Sequence, residues 1–550
     1  MLPRQANTSL TFVTGATQGG IQPRYEIFQL QQNEDQWNIF LLALQSFQQM
    51  DPSSELSWYQ IGGIHGVPYI PYAGVGQCPG CPTTGYCTHS STLFPNWHRS
   101  YVALFEQSLQ LNALAVANQF SGDARSRYLQ AATSLRMPFW DWALLPGAGQ
   151  NPFPQMFTDE TVTVTTPSGQ ATIHNPLHSY SFGSANHTFM KTAFTPDSDV
   201  TIRNPTFTLA TRESLRTDLY ALLTSAQGFN NFATQSLYKA RDNPNSIEML
   251  HDRVHVRTGG DMAYIPTAAF DPIFFLHHAA VDHAYALWQL ANPEDFMTAW
   301  TEVGSTYTYT SGTVENAESA LTPFRSNGKG GFWSPDAVRN TTIFNYVYAD
   351  LEMGQSAAVI INTLYGDDNL TDTRAASMGI HKKTQPSHKE DHSRKKPHQQ
   401  KSETRQEYII NIRADSMGAE GSFTVFFFDQ EVRDDEVCSW HESEAVIASH
   451  SFFTGPGKKG DGTLLSSAGT SLTPGLRRAV KDGRLASLEE EDVVRYLRST
   501  LRWRVKMQQG KAVDESEIPG LEIRVLMAEV RGPKALDEMP VWSPFRALEL

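Results

Sequence analysis

Between residues 376 and 407 the chain loses almost every apolar side chain, and this break separates two halves with different hydrophobic periods. The stretch MGIHKKTQPSHKEDHSRKKPHQQKSETRQE carries eight Lys or Arg between Lys382 and Arg405, and four histidines. Such a composition cannot bury a core, so 376–407 reads as an exposed, basic, His-rich linker. Its dibasic pairs, Lys382-Lys383 and Lys395-Lys396, would be open to an activating protease. Its histidines could catch metal, but the composition favours a solvated segment.

Before the break, helical spacing of apolar residues predominates. DQWNIFLLALQSFQQM, NWHRSYVALFEQSLQLNALAVANQF, SIEMLHDRVHV and DPIFFLHHAAVDHAYALWQL all carry it, the last with an Asp-Pro start. Residues 143–210 are rich in Pro, Gly, Thr and Asn and read as irregular loops. After the break the segments YIINIRA, SFTVFFFD, EAVIASHSFF, LRWRVKM and LEIRVLMAEV read as strands, interrupted by one helix, SLEEEDVVRYLRSTL. The expected organisation is a mainly α domain over 1–375, the linker, and a β-rich domain over 408–550. No internal repeat is visible.

With 550 residues, 40% of them hydrophobic and 19% charged, two folded units are affordable. A net charge of -14 without a sustained basic face argues against a nucleic-acid partner. The absence of a long apolar run argues against a membrane span. The N-terminus MLPRQANTSLTF has no signal-peptide core, so the chain is expected to be intracellular or already trimmed, and its compartment stays open. Sequons at Asn7, Asn186, Asn340 and Asn369 do not decide between these.

The 17 histidines are more telling than the four cysteines. His251 and His255 lie four apart on one helix face and can reach one metal ion. Asp252 stands where a zinc protease needs Glu, which disfavours a hydrolytic zinc site. About twenty residues on, His277 and His278 are adjacent, so only one of them can face that ion. A second set, His65, His89 and His98, lies nearer the N-terminus. Two trios of neutral imidazoles suit copper or zinc, and three nitrogens per ion leave room for an exogenous ligand.

GGIHG, the Cys87-Thr88-His89 triplet, FPNWHRSYVALFEQ, PFWDWA, SIEMLHDRVH and DPIFFLHHAAVD together resemble the type 3 copper proteins, most closely the fungal tyrosinases. The similarity covers about residues 20–370 and ends near Tyr365-Gly366, which resembles the family's core-closing tyrosine motif. It implies a helical core with a central four-helix bundle holding two copper ions. The linker and a β-sandwich-like C-terminal domain fit the family's longer, latent forms. It further implies oxidation of small phenols to o-quinones with O2 as co-substrate, a chemistry of melanin or pigment type.

Residue by residue, the resemblance implies one copper on His65, His89 and His98 and another on His251, His255 and His278, with His277 left beside the pocket. It implies a thioether between Cys87 and His89, and aromatic packing of Phe94 and Phe274 on the ligands. Glu248 corresponds to a glutamate that holds a water near the second copper and could receive the phenol proton. Asp252 stands where many monophenol-active members have Asn, and could serve the same water or form a salt bridge instead. The Arg expected after Asp282 is replaced by His283, which leaves that aspartate without its expected partner.

Cys78-Pro-Gly-Cys81 could form a local disulfide or pass copper during loading, and Cys438-Ser-Trp-His441 invites the same loading idea. Phe453, before the Gly-Pro-Gly turn, is the candidate to insert into the copper pocket. The rival readings are a catechol oxidase lacking the monophenol step, a hemocyanin-like oxygen carrier, and a pair of zinc hydrolase sites. A homodimer is compatible with all of these.

Overall fold

The computed structural model describes every residue except 1–9, 184–197, 226, 237–243, 327–329, 352–353, 367–403, 417–418, 420 and 456–463. Nearly all of the linker, with its dibasic pairs and histidines, lies outside the described residues, as do the sequons at Asn7, Asn186 and Asn369.

The principal helices of the first half are α1 Glu34–Gln48, α2 Trp58–His65, α3 Phe94–Ala117, α4 Gly122–Ser134, α5 Leu209–Thr224, α6 Ile247–Thr258, α7 Ile273–Ala291 and α8 Ala357–Tyr365. Their ends follow local chemistry. Ser57 and Ser246 cap α2 and α6 by accepting from Gln60 and Met249 backbone N–H groups. Pro95 occupies the first turn of α3, where its missing N–H costs nothing. Gly259 ends α6 at φ 74°, and a Cβ there would lie 2.0 Å from Asn204 Oδ1. Aromatic contacts close the core: Trp58 meets Phe105 edge-on at 4.8 Å and Phe275 at 6.1 Å.

Asp282, on α7, does have ion-pair partners, which corrects the expectation drawn from His283. Arg99 Nε donates to its Oδ1 at 2.6 Å and Arg24 Nη1 to its Oδ2 at 3.2 Å. Tyr346 and Tyr348 hydroxyls donate to Oδ2 at 2.5 and 2.6 Å. Strand β1 (Gln22–Arg24) pairs in parallel with β2 (Tyr346–Tyr348), bringing both tyrosines beside Arg24. Burial alone would raise the Asp282 carboxyl, but the two guanidinium groups outweigh it and hold it below its ordinary value. Tyr365 instead donates to Asp141 Oδ2 at 2.8 Å. The tyrosines around the central aspartate are therefore Tyr346 and Tyr348.

The second half packs two antiparallel sheets. One has the order β6 (Leu465–Ser471), β3 (Thr404–Asp415), β9 (Glu522–Arg531), β10 (Val541–Trp542), with β11 (Arg546–Ala547) also on β9. The other runs β8 (Ala512–Val513), β7 (Arg502–Met507), β4 (Phe423–Phe428), β5 (Val446–Phe452). Two helices accompany them, α9 Thr473–Lys481 and α10 Glu490–Thr500, where one was expected. Gly475 explains α9: a Cβ there would lie 2.2 Å from Ile447 O, so the helix is pressed against β5.

Strand β6 was not foreseen, because LSSAGTS has turn-like composition. Its small residues suit a strand seated on the helical half. Ser467 N–H donates to Gln235 O at 3.0 Å, Gly469 N–H to Met249 Sδ at 2.9 Å, and Ser471 N–H to Asp218 Oδ1 at 2.9 Å. The outer edge of the sheet is thus covered by the helical half instead of left free.

Candidate metal centre

The helices deliver the histidines to one place. His65 ends α2, His98 lies one turn into α3, His251 and His255 share a face of α6, and His278 comes from α7. His89 sits on the loop before α3. Two groups form, His65, His89 and His98, and His251, His255, His277 and His278; within each, the nitrogens lie within 4.8 Å of one another. The groups meet: His98 and His278 stack at 4.3 Å, and His89 faces His251 at 5.6 Å.

Hydrogen bonds fix which nitrogen is free. Nδ1 of His65, His98 and His255 lies 3.3, 2.9 and 2.7 Å from the carbonyls of Ile265, Phe94 and Met262. His251 Nδ1 lies 3.0 Å from Asp252 Oδ1. An acceptor at Nδ1 places the proton there and leaves Nε2 as a lone pair, the arrangement in which metal-binding histidines are held. The Nε2 atoms of His65, His89, His98 and His251 are buried without a hydrogen-bond partner. Each such atom costs about 1–3 kcal/mol unless something binds it. His255 Nε2 and His278 Nε2 approach to 3.4 Å, as two ligands of one ion would. Burial pushes His65, His98, His251, His255 and His278 well below the ordinary imidazole value, and His89 to about 4. Neutral rings are the ligating form. The residues present therefore fit a pair of metal ions.

Phe94 and Phe274 are fully buried against these rings. Phe94 lies 4.6 Å from His98 and 4.9 Å from His251, and Phe274 lies 4.2 Å from His278 and 4.9 Å from His65. His277 stacks on His251 at 5.1 Å, and neither of its ring nitrogens has a hydrogen-bond partner. Cys87 is a buried free thiol two residues before His89, and Cys78 and Cys81 are joined in a disulfide. Cys438 is an exposed free thiol.

Both acidic candidates are engaged. Glu248 Oε1 accepts from Ser90 N–H, while Oε2 accepts from Thr234 Oγ1 and Gln235 N–H, each at 2.9 Å. It thereby ties the His89 loop to α6. Asp252 Oδ1 accepts from His251, and Oδ2 accepts from Gln235 Nε2 at 2.7 Å and Phe453 N–H at 3.2 Å. Burial and the Glu248 carboxylate push Asp252 up, and burial pushes His251 down, so this contact is a hydrogen bond to a neutral ring. The role of Gln235 was not legible, since no local pattern marks it. Phe453, just beyond β5, stacks on His255 at 4.2 Å with 5° between the rings and lies 5.9 Å from both His89 and His251.

Residues 55–291 match the common central domain of tyrosinase, and residues 407–525 match the tyrosinase C-terminal domain. A tyrosinase of Neurospora crassa is 29% identical across 94% of this chain and 93% of its own length. One of Podospora anserina is 34% identical across 66% of this chain and 70% of its own. A solved structure of recombinant mushroom tyrosinase superimposes with a TM-score of 0.77 at 26% identity, covering 98% of both chains. With the histidine-bearing helices and the β-rich half both matched, this chain belongs to the tyrosinase family.

Proposed function

We propose that the chain binds two copper ions, one on His65, His89 and His98 and one on His251, His255 and His278, and oxidises phenols with O2. The facing histidine groups carry this reading, with the Nε2 atoms of His65, His89, His98 and His251 buried without a partner and those of His255 and His278 3.4 Å apart. When bound, the copper pair supplies oxygen activation and accepts the electrons of the phenol. The protein holds the rings neutral and oriented, and Phe94 and Phe274 keep water from their flanks. The Cys87 sulfur, two residues from His89, is the donor for a thioether to that ring. Its formation removes the thiol hydrogen and one ring hydrogen, with O2 as the oxidant.

The same reading makes the intact chain latent. Phe453 occupies the face of His255 that a substrate ring would use. A mushroom relative has been solved with latent and active forms in one crystal. Cleavage in the linker by an activating protease would remove Phe453 and its N–H, freeing a lone pair of Asp252 for the phenol proton. While the cover is in place, Asp252 and Glu248 each accept three hydrogen bonds, which leaves little capacity for a phenol proton and favours diphenol over monophenol turnover in any residual activity.

Metal analysis together with oxygen uptake tests the reading, using tyrosine and catechol before and after limited proteolysis. Two coppers per chain and catechol uptake that rises on cutting are expected. Retention of full activity in His98→Ala or His255→Ala would overturn the ligand set. Oxygen binding without catechol turnover would make the chain a carrier.

A further inference from the structure

Beyond His255, where α6 meets the covering domain, lies a cavity of about 190 Å³. Thr211, Ser214 and Arg257 line it from the catalytic half, and His441, Ser443 and Ser449 from the other. Arg257 is 5% exposed. Its guanidinium donates one hydrogen bond, from Nη2 to Ser449 Oγ at 2.5 Å, and lies over the Phe426 ring at 4.9 Å.

Arg253, four residues earlier on α6 and also buried, is neutralised by its pair with Asp218. Among the described residues no carboxylate pairs with Arg257. Arg253 and Lys506, of its own sign, lie within its field, while burial holds His441 and His450 below the ordinary imidazole value and so uncharged. Glu442 and Glu444 line the cavity but are exposed at its rim, and Glu213 faces Arg478 at 3.6 Å. A buried guanidinium with spare donors and no paired carboxylate, opening on a cavity that also carries serine hydroxyls, is a setting that can take an anion.

We propose that this cavity binds a small oxyanion, held by Arg257 and by the hydroxyls of Ser449 and Ser443. Its chemical class is phosphate, sulfate or a small carboxylate, for which a guanidinium fork is matched in geometry. The cavity far exceeds the ~15 Å³ that a single water needs, so an anion and its bridging waters fit. Its walls come from both halves of the molecule, so the bound ion would be shared by the two domains. An anion that binds the folded chain and not the unfolded one raises the unfolding temperature by mass action.

The test is calorimetric titration of the intact full-length chain with inorganic phosphate, with sulfate and with acetate, each at constant ionic strength set by potassium chloride. We expect one saturable site per chain. Arg257→Gln should weaken it about tenfold or more, the loss of a charge-assisted contact. Arg257→Lys, which keeps the charge, should lie between the two. Saturation by phosphate and sulfate assigns a tetrahedral ligand, and saturation by acetate alone assigns a carboxylate. If Arg257→Gln does not fold, Ser449→Ala and the thermal shift of the parent carry the test. Binding that ignores Ser449, together with a thermal shift matched by chloride at equal ionic strength, overturns the site. So does the absence of saturation by all three anions, or equal affinity in a folded Arg257→Gln.

Discussion

Asp252 and Phe453 are joined across the two halves of the molecule: the Phe453 backbone N–H donates to Asp252 Oδ2 at 3.2 Å, while Asp252 Oδ1 orients the ligand ring of His251. One carboxyl group thus touches both the metal centre and the segment that covers it. A substitution at Asp252 should change metal affinity and covering together, whereas one at the Phe453 side chain should change covering alone.

Phe453→Ala removes the ring from His255 and keeps the backbone bond. Catechol oxidation by the intact variant should exceed that of the intact parent by about tenfold, equivalent to ~1.4 kcal/mol of lost cover. After linker cleavage, parent and variant should turn over equally. Initial rates before and after proteolysis measure both, and an unchanged intact rate would remove Phe453 from the covering role.

Asp252→Leu takes away the acceptor that fixes the His251 tautomer. Copper affinity at the second site should fall about 10–100-fold, as for other losses of a group behind a ligand. Asp252→Asn keeps one oxygen and should lose less. Competition against a chelator of known affinity separates the two. Equal affinities would reduce Asp252 to a packing role.

Asp282→Ala leaves Arg24 and Arg99 buried without their shared carboxylate. Removing one partner of a buried charge cluster costs about 3–5 kcal/mol. Denaturant unfolding of the metal-free protein should register it, and Asp282→Asn should show a smaller loss because the tyrosine hydroxyls keep an acceptor.

The pair His283–Asp350, at 2.8 Å, makes stability depend on pH. Burial alone would lower His283, but Asp350 outweighs it and raises the imidazole, while His283 holds the half-buried Asp350 below its ordinary value. The His283 contribution is fully present below the unfolded value of about 6.5 and is lost as pH rises through its raised folded value. The Asp350 contribution is present above about 3.9 and is lost as pH falls through its lowered folded value. His283→Gln should flatten the decline in stability above about pH 6.5, read from unfolding midpoints across pH.

The clustering of the histidines was legible because four of the six lie on helices whose periodicity shows in the sequence, and spacing alone puts His251 and His255 on one face. What escaped was non-local. The partners of Asp282 lie 183 and 258 residues away at Arg99 and Arg24, so its neighbour at 283 was the wrong place to look. The partners of Asp252 come from Gln235 and from the other domain. Strand β6 escaped because its small residues are set by the surface it docks on, a demand that strand periodicity does not encode.

Strand β6 gives activation a direction in time. In the intact chain the donors of Ser467, Gly469 and Ser471 are spent on Gln235, Met249 and Asp218. A severed cover departs with that row of N–H groups unpaired beside side chains too small to shield it, the usual invitation to strand-by-strand self-association. Cover molecules consumed in that way cannot return to the histidine pocket, so proteolysis would behave as a ratchet: each enzyme is switched on once and stays on.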